Sequence, residues 1–332
     1  MKNNIYNNLF EQIILPKYGS FRDKDYDDFL LQENFYPHDY SILDRTNLTY
    51  VNTLTIDPEG CKDADDAFSI FYVNDKLYLA IHIADPTDFI NLNSNLWNNI
   101  LHRNITHYPS NNNPIHLMPD KIIKMASLSF DNDSKKTIKK AISIITEIDT
   151  NTYLPTNNVT LDFTRVSIDK DYCFSYDSAN MKLDEIKIGL LISKALFNRR
   201  STQTIGTKLS QINKAYSSFD GENIKYDNEN VRNLKNMIAE FAIFANSFVG
   251  EYLKINLNGL GIFRTLDSGN LSEINSNVSG DELLNQIILN GLSADYIANI
   301  KPHDLVGTPV YCHFTSPIRR LADCICHYLL KS

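Results

Sequence analysis

Between Val51 and Ala84 the chain is built almost wholly of strand-forming apolar residues, broken in only two places. The first break, Asp57 to Asp66, is crowded with carboxylates. The second is the pair Asn74-Asp75. Val51 to Ile56 reads as a strand, and Ala67 to Val73 with Lys76 to Ala84 read as the arms of a hairpin turning at Asn74-Asp75. Whatever fold this chain adopts must therefore contain a sheet with an acidic loop at a strand–loop–strand junction. Ile138 to Ile148 and Val159 to Ile168 supply two more strands. The second half turns helical. Leu183 to Arg200 carries Ile186, Leu190, Leu191 and Leu196 near helical spacing, and Val231 to Leu253 does so through Leu234, Ile238, Phe241, Ala242, Ala245 and Val249. Shorter helices are expected at Asp281 to Leu289 and Ser293 to Ile300, and a last one from Ser316-Pro317 to the C-terminus. Strands mostly in the first half and helices in the second point to one large α+β domain. Residues 1 to about 45 read as a polar, aromatic-rich N-terminal extension.

Composition bounds the function. A chain of 332 residues can bury a core without disulfides or structural metal. It has no 18-residue apolar run and no secretory signal at its N-terminus. Its five scattered cysteines fit a reducing compartment, so a cytoplasmic protein without membrane contact is expected. A net charge of −8, from 32 basic and 40 acidic residues, argues against a protein that coats nucleic acid non-specifically. A local basic channel remains compatible with that balance.

Asp57, Asp63, Asp65 and Asp66 lie within TIDPEGCKDADDAFSI, residues 55 to 70. Four anionic carboxylates cannot crowd together without a compensating charge. A hard divalent cation supplies one, and carboxylates with waters and phosphates suit Mg²⁺, with Mn²⁺ as the alternative. A calcium loop fails on spacing: counted from Asp63, Phe68 stands where glycine is needed and Asn74 where glutamate is needed. The loop is thus either a solvated surface feature or a Mg²⁺ phosphoryl-transfer site.

The second chemical feature is HFTSPIRRLADCICHYLL, residues 313 to 330. Ser316 is a natural N-cap and Pro317 suits the first helical position, which would give a helix end that favours phosphate. Ile318, Leu321, Ala322, Ile325 and Leu329 would then face the core. Arg319 and Arg320 flank that end, and both can reach Asp323 on the same helix. One arginine is expected to pair with Asp323 and the other to point at a substrate. Cys312, His313, Cys324, Cys326 and His327 raise the question of zinc, but no C-x₂-C or H-x₃₋₅-H pair is present, and core thiols are the favoured reading.

Together these motifs resemble the RNB catalytic domain of the ribonuclease II family. TIDPEGCKDADDAFSI, YLAIHIADPTDFI, HLMPDKI and HFTSPIRRLADCICHYLL occur in the family's order, with weaker agreement at YDSA, IAEFAIFAN and GIFRT, over about residues 46 to 331. The resemblance implies an RNB-type domain with a mixed sheet packed by helices. It also implies a Mg²⁺-dependent hydrolytic 3′→5′ exoribonuclease that acts on single-stranded RNA and releases nucleoside 5′-monophosphates. By position, Asp57, Asp63, Asp65 and Asp66 match the motif aspartates that hold metal, with Asp65 and Asp66 also supporting catalysis. Arg319 matches the motif's catalytic arginine, and Arg320 is its basic neighbour. Ser316 and Arg320 would contact RNA, as would Tyr108, which falls where the family packs a tyrosine on the terminal nucleotide. A loop tyrosine packing on its own domain is the alternative for Tyr108. Glu240 sits in a helix motif whose counterpart approaches RNA. His82 and Asp85, in HIAD, are read as structural.

The family flanks this domain with OB-type RNA-binding barrels and continues it into a further helix bearing a functional glutamate. The expectation from this sequence is an extension over 1–45 and a domain over 46–332 lacking those parts, with a protein partner as a possible supplier of RNA-binding domains. An active minimal nuclease and a catalytically weak RNB-like protein that binds RNA or a partner are the two readings. The retained aspartates and arginine favour the first.

Overall fold

In the computed structural model, which describes residues 43–108, 114–130, 134–201, 217–219, 224–266 and 294–332, Asn74 and Asp75 have positive φ, 49° and 63°. Positive φ at both central residues is what a two-residue type I′ hairpin requires. The turn joins β3 (Asp66–Val73) to β4 (Lys76–Ala84), paired from Val73 opposite Lys76 to Asp66 opposite Ile83. Before them run β1 (Thr46–Asn47) and β2 (Thr53–Asp57); after them come β5 (Lys136–Ile148) and the long β6 (Pro155–Ser175). The sheet order is β1-β6-β2-β3-β4-β5, and β5 pairs back onto β6, so the sheet closes on itself. The long β6 makes this closure possible, running antiparallel to β5 through its first part and parallel to β2 through its end. The architecture is α+β, with most strands preceding the long helices, as the sequence leads one to expect.

Alternation along the strands sorts two faces. Leu77, Leu79, Ile81 and Ile83 of β4 join Phe68, Ile70, Ile142 and Ile144 in one buried cluster. Each such side chain contributes roughly 1.5–3 kcal/mol on burial. Two long helices cover this face: α3 (Asp184–Ser201) and α4 (Glu229–Asn256). Asn228 caps α4 by accepting the Val231 N–H, and Val231, Leu234, Met237, Phe241, Ala245, Val249 and Leu253 form its buried stripe. In α3 the stripe is rotated from the expected one. Ile192 is buried, while Leu191 is 44% exposed. Gly189 sits where a Cβ would stand 2.8 Å from the Met237 sulfur, so its missing side chain lets α3 and α4 close together.

The opposite face carries a buried polar chain that crosses five strands. Thr53 meets Ser69, the Ser69 hydroxyl meets His82 Nε2 at 3.0 Å, His82 Nδ1 meets Ser143 at 2.7 Å, and Ser143 meets Thr164 at 2.6 Å. Beyond it Arg45, Asp85, Asp88, Lys140 and Lys331 form a buried ion network. Arg45 Nη2 donates to Asp85 (2.7 Å) and Asp88 (3.0 Å), Lys331 donates to Asp85 (2.7 Å), and Lys140 pairs with Asp88.

Several elements differ from the sequence reading. Helices α1 (Asn95–Arg103) and α2 (Asp120–Ala126) were not expected. Ser94 caps α1 by accepting the Trp97 N–H at 3.1 Å, and Leu96, Trp97 and Ile100 anchor it. The described part of Ser293 to Ile300 is not helical. It contains β10 (Asp295–Ile297), which pairs antiparallel with β9 (Phe263–Thr265), so tertiary pairing overrides local propensity. The last helix, α5, spans Leu321–Lys331 instead of starting at Ser316. Ser316 to Arg320 form a single turn, and Arg320 is extended (φ −135°, ψ 129°) and bridged to Ile105. Carboxylates explain the delay: Asp65 accepts the Ile318 N–H and Asp323 accepts the Ser316 N–H, both at 2.8 Å. Those N–H groups are therefore not open to a phosphate, and Ser316 is not an N-cap. Along α5, Asp323, Cys324, Cys326, His327 and Tyr328 are buried, while Leu321, Ala322, Ile325 and Leu329 are only partly so. Polar partners set this rotation, because His327 Nε2 meets the Phe314 carbonyl and Lys331 reaches Asp85. Two minor strands, β7 (Ser217–Phe219) and β8 (Ile224–Tyr226), pair with each other. Asp281 to Leu289 and residues 1–42 of the expected extension lie outside the described residues. Among the described residues, no helix is long and apolar enough to cross a membrane.

Candidate active site

Asp57 is the last residue of β2 and Asp66 the first of β3, so two adjacent strands fix both ends of the acidic loop. Between them the loop is pinned by its backbone: the Ala84 N–H donates to the Asp65 carbonyl (2.8 Å), and the Leu128 N–H to that of Ala64 (2.9 Å). Asp57 and Asp66 are partly buried, and their carboxylates feel each other. Burial, then the charge of Asp66, pushes Asp57 up to about 7, with Cys61 and Arg319 opposing and Asp63 reinforcing. Burial pushes Asp66 up to about 6 against the pull of Arg319 and Arg320. Among the described residues, the Asp66 carboxylate has no hydrogen-bond donor and no ion-pair partner.

Asp65 is placed differently from its neighbours. Its Oδ1 takes the Ile318 N–H at 2.8 Å, and its Oδ2 takes Arg319 Nε at 3.2 Å. Burial raises it well above the usual carboxylate range, against Arg319 and the Ile318 N–H. It fastens the Ser316–Arg320 turn to the acidic loop. Arg319 also donates from Nη2 to Ser316 Oγ (2.9 Å), and its side chain is 47% exposed. Arg320 turns instead to Asp323 (2.9 Å). Arg319 is thus the arginine left facing solvent at the carboxylates.

Segment 104–108 brings Tyr108 to the same place. The Thr106 N–H donates to the Arg319 carbonyl (2.9 Å), and the Leu321 N–H to that of Asn104 (2.8 Å), which threads the segment along the arginine turn. Tyr108, 56% exposed, donates its hydroxyl to Asp63 Oδ2 at 2.9 Å. Glu240 stands apart. It is buried between α3 and α4, and its oxygens take Arg200 Nε (2.9 Å) and Nη2. It is a helix-to-helix lock, not an exposed acceptor.

Two neighbours carried no role in the sequence reading. The Cys61 thiol lies 3.6 Å from Asp63 Oδ1 and 3.8 Å from Asp57 Oδ1. Tyr176 donates its backbone N–H to the Asp57 carbonyl at 3.1 Å, and its phenol is within electrostatic reach of Asp66, Asp57 and Arg319. The position of Cys61 inside the loop was a usable signal. For Tyr176 the signal was its place in the YDSA motif, though its approach to the site depends on strand pairing.

Among the described residues, no three His, Cys, Asp or Glu side chains converge as a metal cage of protein ligands alone. Mg²⁺ does not require such a cage: it keeps several waters and uses one or two carboxylates with substrate phosphates. Hard oxygen donors on Asp57, Asp63 and Asp66, unbalanced by a protein cation of their own, fit that ion. They do not fit a zinc site, which needs four close ligands.

The fold and motifs have relatives. A Ribonuclease R of Helicobacter pylori is 25% identical over 334 residues, covering 87% of this chain and 49% of that protein. An Exoribonuclease 2 of Baumannia cicadellinicola is 28% identical over 335 residues, covering 87% and 50%. Among solved structures, Mycoplasma genitalium RNase R in complex with ribose methylated single-stranded RNA superposes with a TM-score of 0.72 at 20% identity, covering 94% of this chain and 54% of that one. The yeast pseudonuclease Ssd1 superposes at 0.66 with 17% identity, covering 94% and 45%. The chain spans about half the length of the relatives it matches. The family model described as the RNB domain matches residues 45–280 and 268–332, which hold both the acidic loop and the arginine turn, and the chain belongs to that family.

Proposed function

We propose that this chain hydrolyses single-stranded RNA from the 3′ end in a divalent-cation-dependent reaction, releasing nucleoside 5′-monophosphates, with residues 46–332 as the catalytic domain. The observation that carries the reading is that Asp57 lies within electrostatic reach of Asp66, Asp63 and a half-exposed Arg319 at one strand–loop–strand junction. Negative charge without a matching protein cation stands next to a cation with donors to spare. Asp57, Asp63 and Asp66 would hold Mg²⁺ or Mn²⁺. Bound there, the cation would lower the pKa of water and offset charge on the scissile phosphate. Arg319 offers its outer N–H groups to non-bridging phosphate oxygens, where charge grows during displacement. Asp65 and Ser316 hold that guanidinium in place through Nε and Nη2. Tyr108 presents an exposed ring beside Asp63 on which a terminal base can stack. All five cysteines are free thiols, which supports a reducing compartment such as the cytoplasm.

The test is digestion of 5′-labelled single-stranded RNA with and without Mg²⁺. Stepwise shortening from the 3′ end, abolished by chelator and yielding 5′-monophosphates, is the expected result. Internal cuts, or cleavage indifferent to chelator, would overturn the proposal. A second reading is RNA binding without turnover, since one solved structure of this fold, yeast Ssd1, is a pseudonuclease. It predicts retention of intact RNA with Mg²⁺ present.

A further inference from the structure

The β9–β10 pair carries chemistry that the carboxylate site does not use. Phe263 and Thr265 of β9 are buried, so alternation turns Arg264 to the other face, directly across from Tyr296 of β10. The Arg264 guanidinium carbon lies 4.5 Å from the centre of the Tyr296 ring. Among the described residues that ring is its side-chain partner, and no carboxylate or carbonyl takes its N–H donors. Tyr296 is fixed from a second side. Its hydroxyl is hydrogen-bonded to His313 Nδ1, and the two rings meet edge-on with centroids 5.4 Å apart. Burial, helped by Arg320, holds the His313 imidazole down to about 3. Yet Tyr296 remains 44% exposed. Arg320 lies within electrostatic reach of Tyr296, His313 and Asp66, so this aromatic platform and the carboxylates share one arginine.

An exposed ring held rigid by two partners loses little freedom when a flat ligand stacks on it. A guanidinium with open donors seeks an anion that the described residues do not provide. We propose that Tyr296 and Arg264 form a second nucleotide subsite, in which Tyr296 stacks a base of the single-stranded RNA and Arg264 takes the phosphate beside it. The inference rests on the nuclease reading above, since the strand must already lie at the carboxylates for Tyr296 to meet it.

The test is fluorescence anisotropy with a 5′-fluorescein oligouridylate, using the full chain carrying Asp66→Asn so that the RNA stays intact. Added to that parent, Tyr296→Ala should weaken binding about tenfold, whereas Tyr296→Phe, which keeps the ring, should stay within about twofold. Arg264→Gln should flatten the slope of log affinity against log salt by about 0.7, the value for one phosphate contact on a single strand. Thermal unfolding of each variant reports its fold. Tyr296→Leu, apolar but without an aromatic face, replaces the alanine variant should that one unfold. A parent that binds RNA while these variants keep its affinity and salt slope overturns the subsite and leaves the nuclease reading intact. A parent that binds no RNA overturns both.

Discussion

Asp65 divides its two oxygens between two tasks, and replacing it by asparagine and by alanine separates them. Oδ1 accepts the N–H of Ile318, a fully buried residue, and Oδ2 accepts Nε of the half-exposed Arg319. An ion pair with one exposed partner is worth about 0–1 kcal/mol. A buried backbone N–H left without an acceptor costs about 1–3 kcal/mol. Asparagine keeps an oxygen for Ile318 but turns an NH₂ toward Arg319, so the pair is lost. It also removes a buried charge, which offsets part of that loss. Asp65→Asn should therefore lower stability by no more than about 1 kcal/mol, and Asp65→Ala by about 1–3 kcal/mol beyond it. Turnover should not follow that order. Both variants release Arg319 from Asp65, so both should slow the reaction, by about 10- to 100-fold if a displaced guanidinium acts like other misplaced catalytic groups. Urea unfolding followed by circular dichroism and initial rates on labelled RNA measure the two effects separately. Equal stability losses would show that the arginine, not the Ile318 N–H, anchors the turn. Full turnover in the asparagine variant would show that Asp65 does not position Arg319.

Asp66→Asn should fold and bind single-stranded RNA but lose several orders of magnitude in turnover. Asp75→Asn, in the hairpin turn where asparagine tolerates the positive φ of 63°, is its active control; equal rates for the two would remove the acidic loop from the active site. His82 gives a pH signature. Burial lowers its folded pKa to about 3, so below pH 6.5 the unfolded chain takes up a proton that the folded chain refuses. Its contribution is absent above pH 6.5 and destabilises by about 1.4 kcal/mol for each unit below it, down to pH 3. Unfolding at pH 7 and 5.5 should show this loss, reduced in His82→Asn; an identical pH dependence in both proteins would refute it. Arg45→Met strands the buried Asp85 and Asp88 and should cost about 3–5 kcal/mol by urea unfolding. A loss under 1 kcal/mol would mean that Lys331 and Lys140 suffice.

What was legible in the sequence was what neighbouring residues decide. The strand Lys76–Ala84 has the expected bounds because an apolar run ends at a turn pair whose chemistry is local. The strand expected at Val159 to Ile168 continues at both ends, since β5 and β2 supply pairing that polar residues such as Asn157 and Asp171 do not advertise. Asparagines hid α1, whose apolar contacts come from Leu96, Trp97 and Ile100 alone. The arginine turn was the instructive failure. Ser-Pro is a sound local helix start, but the carboxylate that takes the Ile318 N–H lies 253 residues earlier in the chain. The Arg200 partner of Glu240, 40 residues away on α3, was likewise invisible to periodicity.

The chain treats its buried carboxylates in two ways, and the difference bears on the chemistry. Asp85 and Asp88 have Arg45, Lys140 and Lys331; Asp323 has Arg320; Glu240 has Arg200. Each of these has an opposite charge within ion-pair distance. At the β2–β3 junction the pattern stops. Asp65 draws on Arg319, but Asp57 and Asp66 press on each other, and among the described residues Asp63 has only the hydroxyl of Tyr108 and the thiol of Cys61. Mutual repulsion in a fold able to place cations elsewhere is destabilising unless something supplied with the substrate relieves it. A divalent ion accompanying a phosphodiester would do so, and it would bring positive charge to the place where Arg319 is already held.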